Sequence, residues 1–220
     1  MSKIRIKFCG LRTAKDMEIA AKVGAAYVGM VFYPKSPRHL DLDTAREIAI
    51  GAPAGLCKVA LVVDADDAML DRLTARVPID MLQLHGTESP ARVSEIRARY
   101  GLPVMKAVGI ACRDDLPALL DYSLVADQIL VDAKPDPATP MPGGNGLAFD
   151  WNLIAHRRWL RPWMLAGGLR VDNVAAAIRL TGATQVDVSS GIESRPGIKD
   201  PALMAAFAKA AMAAGDVPSL

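Results

Sequence analysis

The sequence predicts an α/β protein, a single-domain (β/α)8 barrel over residues 1–220, and three observations carry that reading. Strand-like apolar runs alternate with helix-periodic segments about eight times. The 220 residues leave roughly 27 per unit, near the lower size limit of such a barrel. The last two strand-like runs each empty into small residues, which is how this fold builds a phosphate site from its final loops. A doubly wound sheet is the structural rival. Against it, Cys9-Gly10-Leu11-Arg12 lacks the GxGxxG spacing after the first strand, and the glycines cluster late in the chain.

The units follow in order. Lys3 to Cys9 alternates polar and apolar and stops at Gly10; Thr13 to Val23 then has helical spacing. Gly24 to Phe32 reads as the second strand, Tyr33 to Arg38 as a proline-rich loop, and Leu42 to Ile50 as a helix opened by Asp41 or Asp43. Lys58 to Val63 and Ile79 to Leu84 are the third and fourth strands, followed by helices over Asp67 to Arg76 and Ser89 to Tyr100. Pro103 to Val108 begins a weaker fifth unit, with its helix over Asp114 to Tyr122. Gln128 to Asp132 is the compact sixth strand. A Gly/Pro-rich span from Pro135 to Gly146 follows and reads as an active-site loop, before a short helix around Asp150 to His156. The seventh unit runs from Trp163 through Gly167 and Gly168 into a helix over Arg170 to Arg179, and Pro201 to Ala214 closes the chain as an alanine-rich helix.

The eighth strand is the most informative stretch. Gln185-Val-Asp-Val alternates β-branched residues and ends in Ser189, Ser190 and Gly191, which combine hydroxyl donors with a backbone that a ligand can approach closely. A short helix beginning there would aim free N–H groups at a phosphate. The plainer alternative is an ordinary strand-to-helix turn with Ser190 as its N-cap.

Composition narrows the function classes. The 26 basic and 24 acidic residues give a formal charge of +2 without a dense basic block, and aromatics are few, so nucleic acid is not an expected partner. The hydrophobic share is 51%, yet no apolar run approaches the roughly 20 residues that cross a bilayer, and the N-terminus has no secretory pattern; a cytoplasmic protein is expected. Cys9, Cys57 and Cys112 are odd in number and widely spaced, which fits neither a disulfide framework nor a zinc site. His39, His85 and His156 are equally scattered, so no catalytic metal is expected. Apolar residues on the helices fit either a monomer or a homodimer.

In a barrel all C-terminal strand ends face one mouth, which singles out Cys9, Arg38, Gln83, His85, Asp132, Asp187 and Ser189. Cys9 is either a small apolar filler or, in an electropositive mouth, a thiolate base; Cys57 and Cys112 fit the filler reading. Asp132 ends an apolar strand, either as a buried partner for another group or as a carboxyl kept protonated by burial. Arg38, in a loop stiffened by proline, is either an exposed arginine or a bidentate clamp for a carboxylate. Gln83 and His85 share one face of the fourth strand end, and His85 beside Gly86 also fits a turn cap. On the residues alone the reaction stays open.

Seven ordered motifs resemble the phosphoribosylanthranilate isomerase family of tryptophan biosynthesis, from the first strand to the last helix. They are Lys7-Phe-Cys-Gly10, Val31 to Arg38, Gln83-Leu-His-Gly86, Gly143 to Gly146 with Phe149-Asp-Trp151, Ala166 to Leu169, Asp187 to Glu193, and Pro196 to Asp200. The resemblance implies Cys9 as general base, Asp132 as general acid and Arg38 on the anthranilate carboxylate. It places Gly146, Gly167, Gly168, Ser189, Ser190 and Gly191 around the phosphate, with Gln83 and His85 also at the substrate. The implied reaction is a metal-free and cofactor-free Amadori rearrangement of a small phosphorylated substrate. Asn145, Leu147 and Val62-Val-Asp64 depart from the family's usual pattern; the first two remove a positive charge near the phosphate loop. A related histidine-pathway isomerase uses two aspartates for the same chemistry, and Cys9 argues against that runner-up. A noncatalytic phosphate-binding barrel would need neither Cys9 nor Asp132.

Overall fold

Eight parallel strands close into a barrel in simple chain order: β1 (Arg5–Cys9), β2 (Tyr27–Phe32), β3 (Cys57–Val62), β4 (Met81–Leu84), β5 (Val104–Ile110), β6 (Gln128–Ala133), β7 (Trp163–Leu165) and β8 (Gln185–Val188). The structure is a computed structural model that describes residues 4–134, 146 and 148–215. β8 pairs with β1 in register Lys7 opposite Asp187, which completes the ring. The helices are α1 (Ala14–Lys22), α2 (Leu42–Gly51), α3 (Asp67–Arg76), α4 (Pro90–Tyr100), α5 (Leu116–Ser123), α6 (Val174–Thr181) and α7 (Pro201–Gly215). A two-stranded ribbon, β9 (Glu193–Arg195) with β10 (Ile198–Lys199), folds back between β8 and α7.

The period of two along each strand sorts side chains into two buried layers. Ile6, Phe8, Val28, Met30, Leu82, Leu84, Ile129 and Val131 pack outward against the helices in the larger apolar cluster. Tyr27, Val59, Met81, Met105, Leu130 and Met164 fill the barrel interior. Cys9, Val31 and Leu61, at or near the C-terminal ends of β1, β2 and β3, form a third, small cluster. Side chains with hydrogen-bonding groups start the helices: Thr13, Asp41, Asp66 and Ser89 each accept from a first-turn backbone N–H.

Most strands and helices lie within a few residues of expectation, and the Asp67 to Arg76 helix has the expected bounds. The departures have local causes. Gly24 and His156 take positive φ, so β2 starts later than Gly24 and no α-helix forms at Asp150 to His156. A single 3-10 turn, Trp151–Leu153, stands there, held by Asp150 accepting from the Asn152 N–H at 3.0 Å. The α6 helix begins at Val174 rather than Arg170, because Asn173 closes a turn onto the Arg170 N–H at 2.7 Å. The fifth helix likewise begins with a 3-10 turn, Arg113–Asp115. Cys112 is exposed and is no apolar filler, whereas Cys57 opens β3 at the end of the barrel away from the mouth. Of the expected active-site loop from Pro135 to Gly146, all but Gly146 lies outside the described residues, as does Leu147. Among the described residues no helix is long and apolar enough to cross a membrane.

Candidate active site

Cys9 and Asp132 both stand at the C-terminal ends of their strands, facing one mouth, with 4% and 9% of their surfaces exposed. In the ring of strands, β7 and β8 separate β6 from β1. The two glycine- and serine-bearing loops therefore lie between the carboxyl and the thiol.

On the thiol side, Lys7 lies one inward step below Cys9 and donates to Asp187 Oδ1 at 2.8 Å. Burial alone would lower the Lys7 ammonium, but Asp187 and the neighbouring Cys9 sulfur raise it above its ordinary value. Burial pushes the Cys9 thiol up, while the Lys7 ammonium pulls it down, Asp187 pushes it up and Lys199 pulls it down. Burial is the largest of these influences, so in the substrate-free protein the thiol lies above its ordinary value. Gly29 leaves the space these groups occupy, since a Cβ there would lie 2.9 Å from Cys9 Sγ and 3.2 Å from Lys7 Nζ.

Arg38 is buried, not exposed, and it does grip a carboxylate bidentately. That carboxylate is the protein's own: Nε donates to Glu193 Oε1 at 2.8 Å and Nη2 to Glu193 Oε2 at 2.9 Å. Its stem lies over Gly10, whose φ is +77° and where a Cβ would lie 2.5 Å from Arg38 Cδ. Lys199 also donates to Glu193 Oε1, at 2.7 Å, and to the Ser189 carbonyl at 3.0 Å. Burial would raise the Glu193 carboxyl, but Arg38 and Lys199 hold it below its ordinary value. Ser189 Oγ in turn donates to the Cys9 carbonyl at 3.1 Å.

On the carboxyl side, Asp132 Oδ1 accepts the Ala133 N–H at 2.8 Å and Oδ2 lies 3.2 Å from His85 Nε2. Gln83 Nε2 meets His85 Nδ1 at 2.9 Å. Gln83 has no exposed surface, and its amide faces His85. The loop that carries His85 is clamped from beneath. Lys106 Nζ donates to the Gly86 carbonyl at 2.7 Å and to Glu88 Oε2 at 2.8 Å, and Glu88 accepts the Asp64 and Gly86 N–H groups.

The small residues expected around a phosphate converge between these two sides. Gly167 is buried with φ +83°, and a Cβ there would lie 2.7 Å from the Ala133 nitrogen and 3.2 Å from Asp132 Oδ1. Gly168 also takes positive φ, and its carbonyl accepts from Asn173 Nδ2 at 2.9 Å. A Cβ on Gly191 would fall 2.0 Å from the Leu169 carbonyl oxygen, so the β7 and β8 loops touch only because it is glycine. Gly146 is exposed, and a Cβ there would lie 3.7 Å from Ser190 Oγ. Ser190 starts a 3-10 turn, Ser190–Ile192, and caps nothing with its side chain, as does Ser189 before it. Among the described residues no group of three or more His, Cys, Asp or Glu side chains is arranged to hold a metal ion.

A family model described as N-(5'phosphoribosyl)anthranilate (PRA) isomerase matches residues 6–210. The chain belongs to the N-(5'-phosphoribosyl)anthranilate isomerase family. It is 64% identical over 211 residues to the isomerase of Cereibacter sphaeroides, covering 96% of this chain and 100% of that one. The phosphoribosyl anthranilate isomerase structure from Thermotoga maritima is similar with a TM-score of 0.85 and 34% identity, over 94% of this chain and 98% of that one. An isomerase in complex with reduced 1-(o-carboxyphenylamino)-1-deoxyribulose 5-phosphate is similar at TM-score 0.82 and 33% identity, with the same coverage.

Several residues that build this isomerase site were not singled out from the sequence: Lys7, Gly29, Glu88, Lys106, Glu193 and Lys199. Their common signal is a charged or missing side chain at a position whose neighbours are buried. Lys7 and Lys106 stand inside strands that are otherwise largely apolar.

Proposed function

We propose that Cys9 and Asp132 carry the isomerisation of N-(5'-phosphoribosyl)anthranilate to 1-(2-carboxyphenylamino)-1-deoxyribulose 5-phosphate, the Amadori step of tryptophan biosynthesis, within one barrel domain over residues 1–220. The observation that supports it most is the order around the ring. The acid on β6 and the base on β1 flank the two loops whose glycines and hydroxyls suit a phosphate. A substrate anchored by its phosphate at Gly146, Gly167, Gly168, Ser189, Ser190 and Gly191 has its sugar between the two side chains, and positioning of that kind removes much of the entropic barrier. Arg38, held in plane by Glu193, supplies the cationic wall for the anthranilate carboxylate.

The atoms balance without any redox partner. Asp132 gives a proton to the furanose ring oxygen as its bond to C1' breaks, and the nitrogen lone pair forms the C1'=N bond of a Schiff base. The Cys9 thiolate then takes the proton from C2', those electrons form the C1'=C2' bond of an enolamine, and the second C1'=N pair returns to nitrogen. Ketonisation adds a proton at C1' and removes the one on the C2' oxygen, which resets both groups. Each positioned proton transfer contributes roughly 100- to 10,000-fold.

The ligand class is a small phosphorylated metabolite rather than nucleic acid, the compartment is the cytoplasm, and the assembly is a monomer or a homodimer. The three free thiols suit a reducing compartment. The test is turnover of freshly generated substrate, followed as loss of anthranilate fluorescence, in wild type, Cys9→Ser and Asp132→Asn. Loss of roughly 100-fold or more in each variant, at unchanged melting temperature, is expected. Wild-type turnover in either variant would sink that residue's role.

A further inference from the structure

The carboxyl side of the mouth holds a feature that acid catalysis by Asp132 alone does not use. Both Asp132 oxygens face hydrogen-bond donors, the Ala133 N–H at 2.8 Å and the His85 ring at 3.2 Å. Both oxygens are thus taken up by donors, whereas the first chemical step needs a proton on Asp132. Gln83 Nε2 lies 2.9 Å from His85 Nδ1; with the amide donating there, the ring proton sits on Nε2, which lies 3.2 Å from Asp132 Oδ2. Gln83 Oε1 is buried with no hydrogen-bond partner among the described residues, an unusual state for a side chain with no exposed surface.

Such an orphan acceptor has a use if the ring gains a second proton. A half-turn of the Gln83 amide presents Oε1 to an Nδ1–H, so the same side chain matches both the neutral ring and the imidazolium. We propose that Gln83 and His85 are positioning residues that load Asp132: the imidazolium, held by Gln83 Oε1, passes its Nε2 proton to the Asp132 carboxylate, which delivers it to the ring oxygen of the substrate. The N–H bond at Nε2 breaks as an O–H bond forms on Asp132, leaving a neutral ring protonated at Nδ1. The proton released from the C2' oxygen during ketonisation returns by the same route. No other reactant is required. This deepens the reading of Asp132 as the acid and rests on it.

The groups around the ring are consistent with that traffic. Gln83 comes from β4 and Asp132 from β6, while Lys106 from β5 is already engaged by Glu88 at 2.8 Å, and Asp64 accepts from Thr87 on the loop behind. The ring is also fixed in place. The His85 backbone N–H donates to the Val62 carbonyl at 2.9 Å, and Lys106 ties down the Gly86 carbonyl.

The test compares His85→Gln with Asp132→Asn. A glutamine Nε2 can stand where the imidazole Nε2 stands and keeps an N–H donor for Asp132, but it cannot relay a proton. The expected result for His85→Gln is a fall in kcat of about 100-fold with KM within about twofold. Wild-type kcat in His85→Gln, with Asp132→Asn inactive, overturns the relay and leaves Asp132 as the acid; an active Asp132→Asn overturns that reading itself. If His85→Gln does not fold, the wild-type ring is read directly. Histidine 15N spectra of wild type bound to reduced 1-(2-carboxyphenylamino)-1-deoxyribulose 5-phosphate, assigned through His39→Gln and His156→Gln, should show protons on both ring nitrogens of His85. A ring left with its Nδ1 lone pair in that complex overturns the proposal.

Discussion

The two walls of the mouth control their reactive groups by different means. Around Cys9 the control is charge and burial: Lys7 lies below the sulfur, Asp187 and Lys199 act across space, and the thiol sits among Val31 and Leu61. Around Asp132 the control is directional: one backbone N–H, one imidazole, one amide behind it, and a clamped loop beneath. Charge adjusts how easily a proton leaves but not where it goes. Directed hydrogen bonds fix the path. On the proposed reading, Cys9 as the base that collects a proton from a substrate held in place needs the first, and Asp132 as an acid reloaded through His85 needs the second.

The largest test of that contrast is Lys7→Met. It removes the cation beneath the thiol and leaves Asp187 buried without its 2.8 Å partner. Loss of one member of a buried pair costs about 3–5 kcal/mol, so a clear fall in the denaturation midpoint is expected. Both changes also push the Cys9 thiol further up, because a cation is lost and an anion is uncovered. Fluorescence-detected turnover should therefore fall most at neutral pH and recover as pH rises. Equal loss at every pH would mean that Lys7 is only structural.

A smaller effect isolates the thiol in the native protein. Burial holds the Cys9 thiol above its ordinary value, so the reactive thiolate is the minor form at neutral pH. In a Cys57→Ser, Cys112→Ser background, iodoacetamide should modify Cys9 slowly at neutral pH and about tenfold faster for each unit of added pH until the thiol is ionised. Mass spectrometry against time gives the rate. A pH-independent rate in the substrate-free protein would mean that the lysines win over burial, reversing the balance described above.

The division between the walls also governs what could be read in advance. Cys9, Asp132 and Asp187 were legible because strand alternation and the common mouth of a barrel convert sequence position into a facing direction. The small-residue runs at Ala166 to Leu169 and Ser189 to Gly191 were legible because few other features need them. What stayed hidden was pairing. Glu193 lies 155 positions from Arg38, and nothing local marks it as the carboxylate that Arg38 grips. Lys106 reads as a polar residue in a weak strand, yet both faces of a parallel strand are buried, so alternation could not tell a solvent face from a clamp. The missing helix before β7 has a similar origin. Asp150 to His156 reads as a short helix, but the positive φ at His156 and the stacking of Trp159 on Trp163 at 4.2 Å favour an irregular path.

The smallest predicted effects compare two helix starts, one behind each wall. Thr13 caps α1, the helix that follows β1 and Cys9, by accepting the Asp16 N–H at 3.1 Å. Ser89 caps α4 by accepting the Arg92 N–H at 3.2 Å, and it directly follows Glu88, whose carboxylate joins Lys106 to the His85 loop. Replacing either by alanine should lower stability by about 1 kcal/mol, measured by urea denaturation. Their effects on turnover should differ. Thr13→Ala loosens a helix end whose bonds do not orient the thiol, and its kcat should match wild type. Ser89→Ala loosens the residue beside Glu88, so the loop carrying His85 loses part of its register and kcat should fall by about two- to fivefold, an energy of under about 1 kcal/mol. Equal kcat in the two variants at equal loss of stability would show that the His85 loop is held by the Lys106–Glu88 clamp alone, with no contribution from the helix that begins beside it.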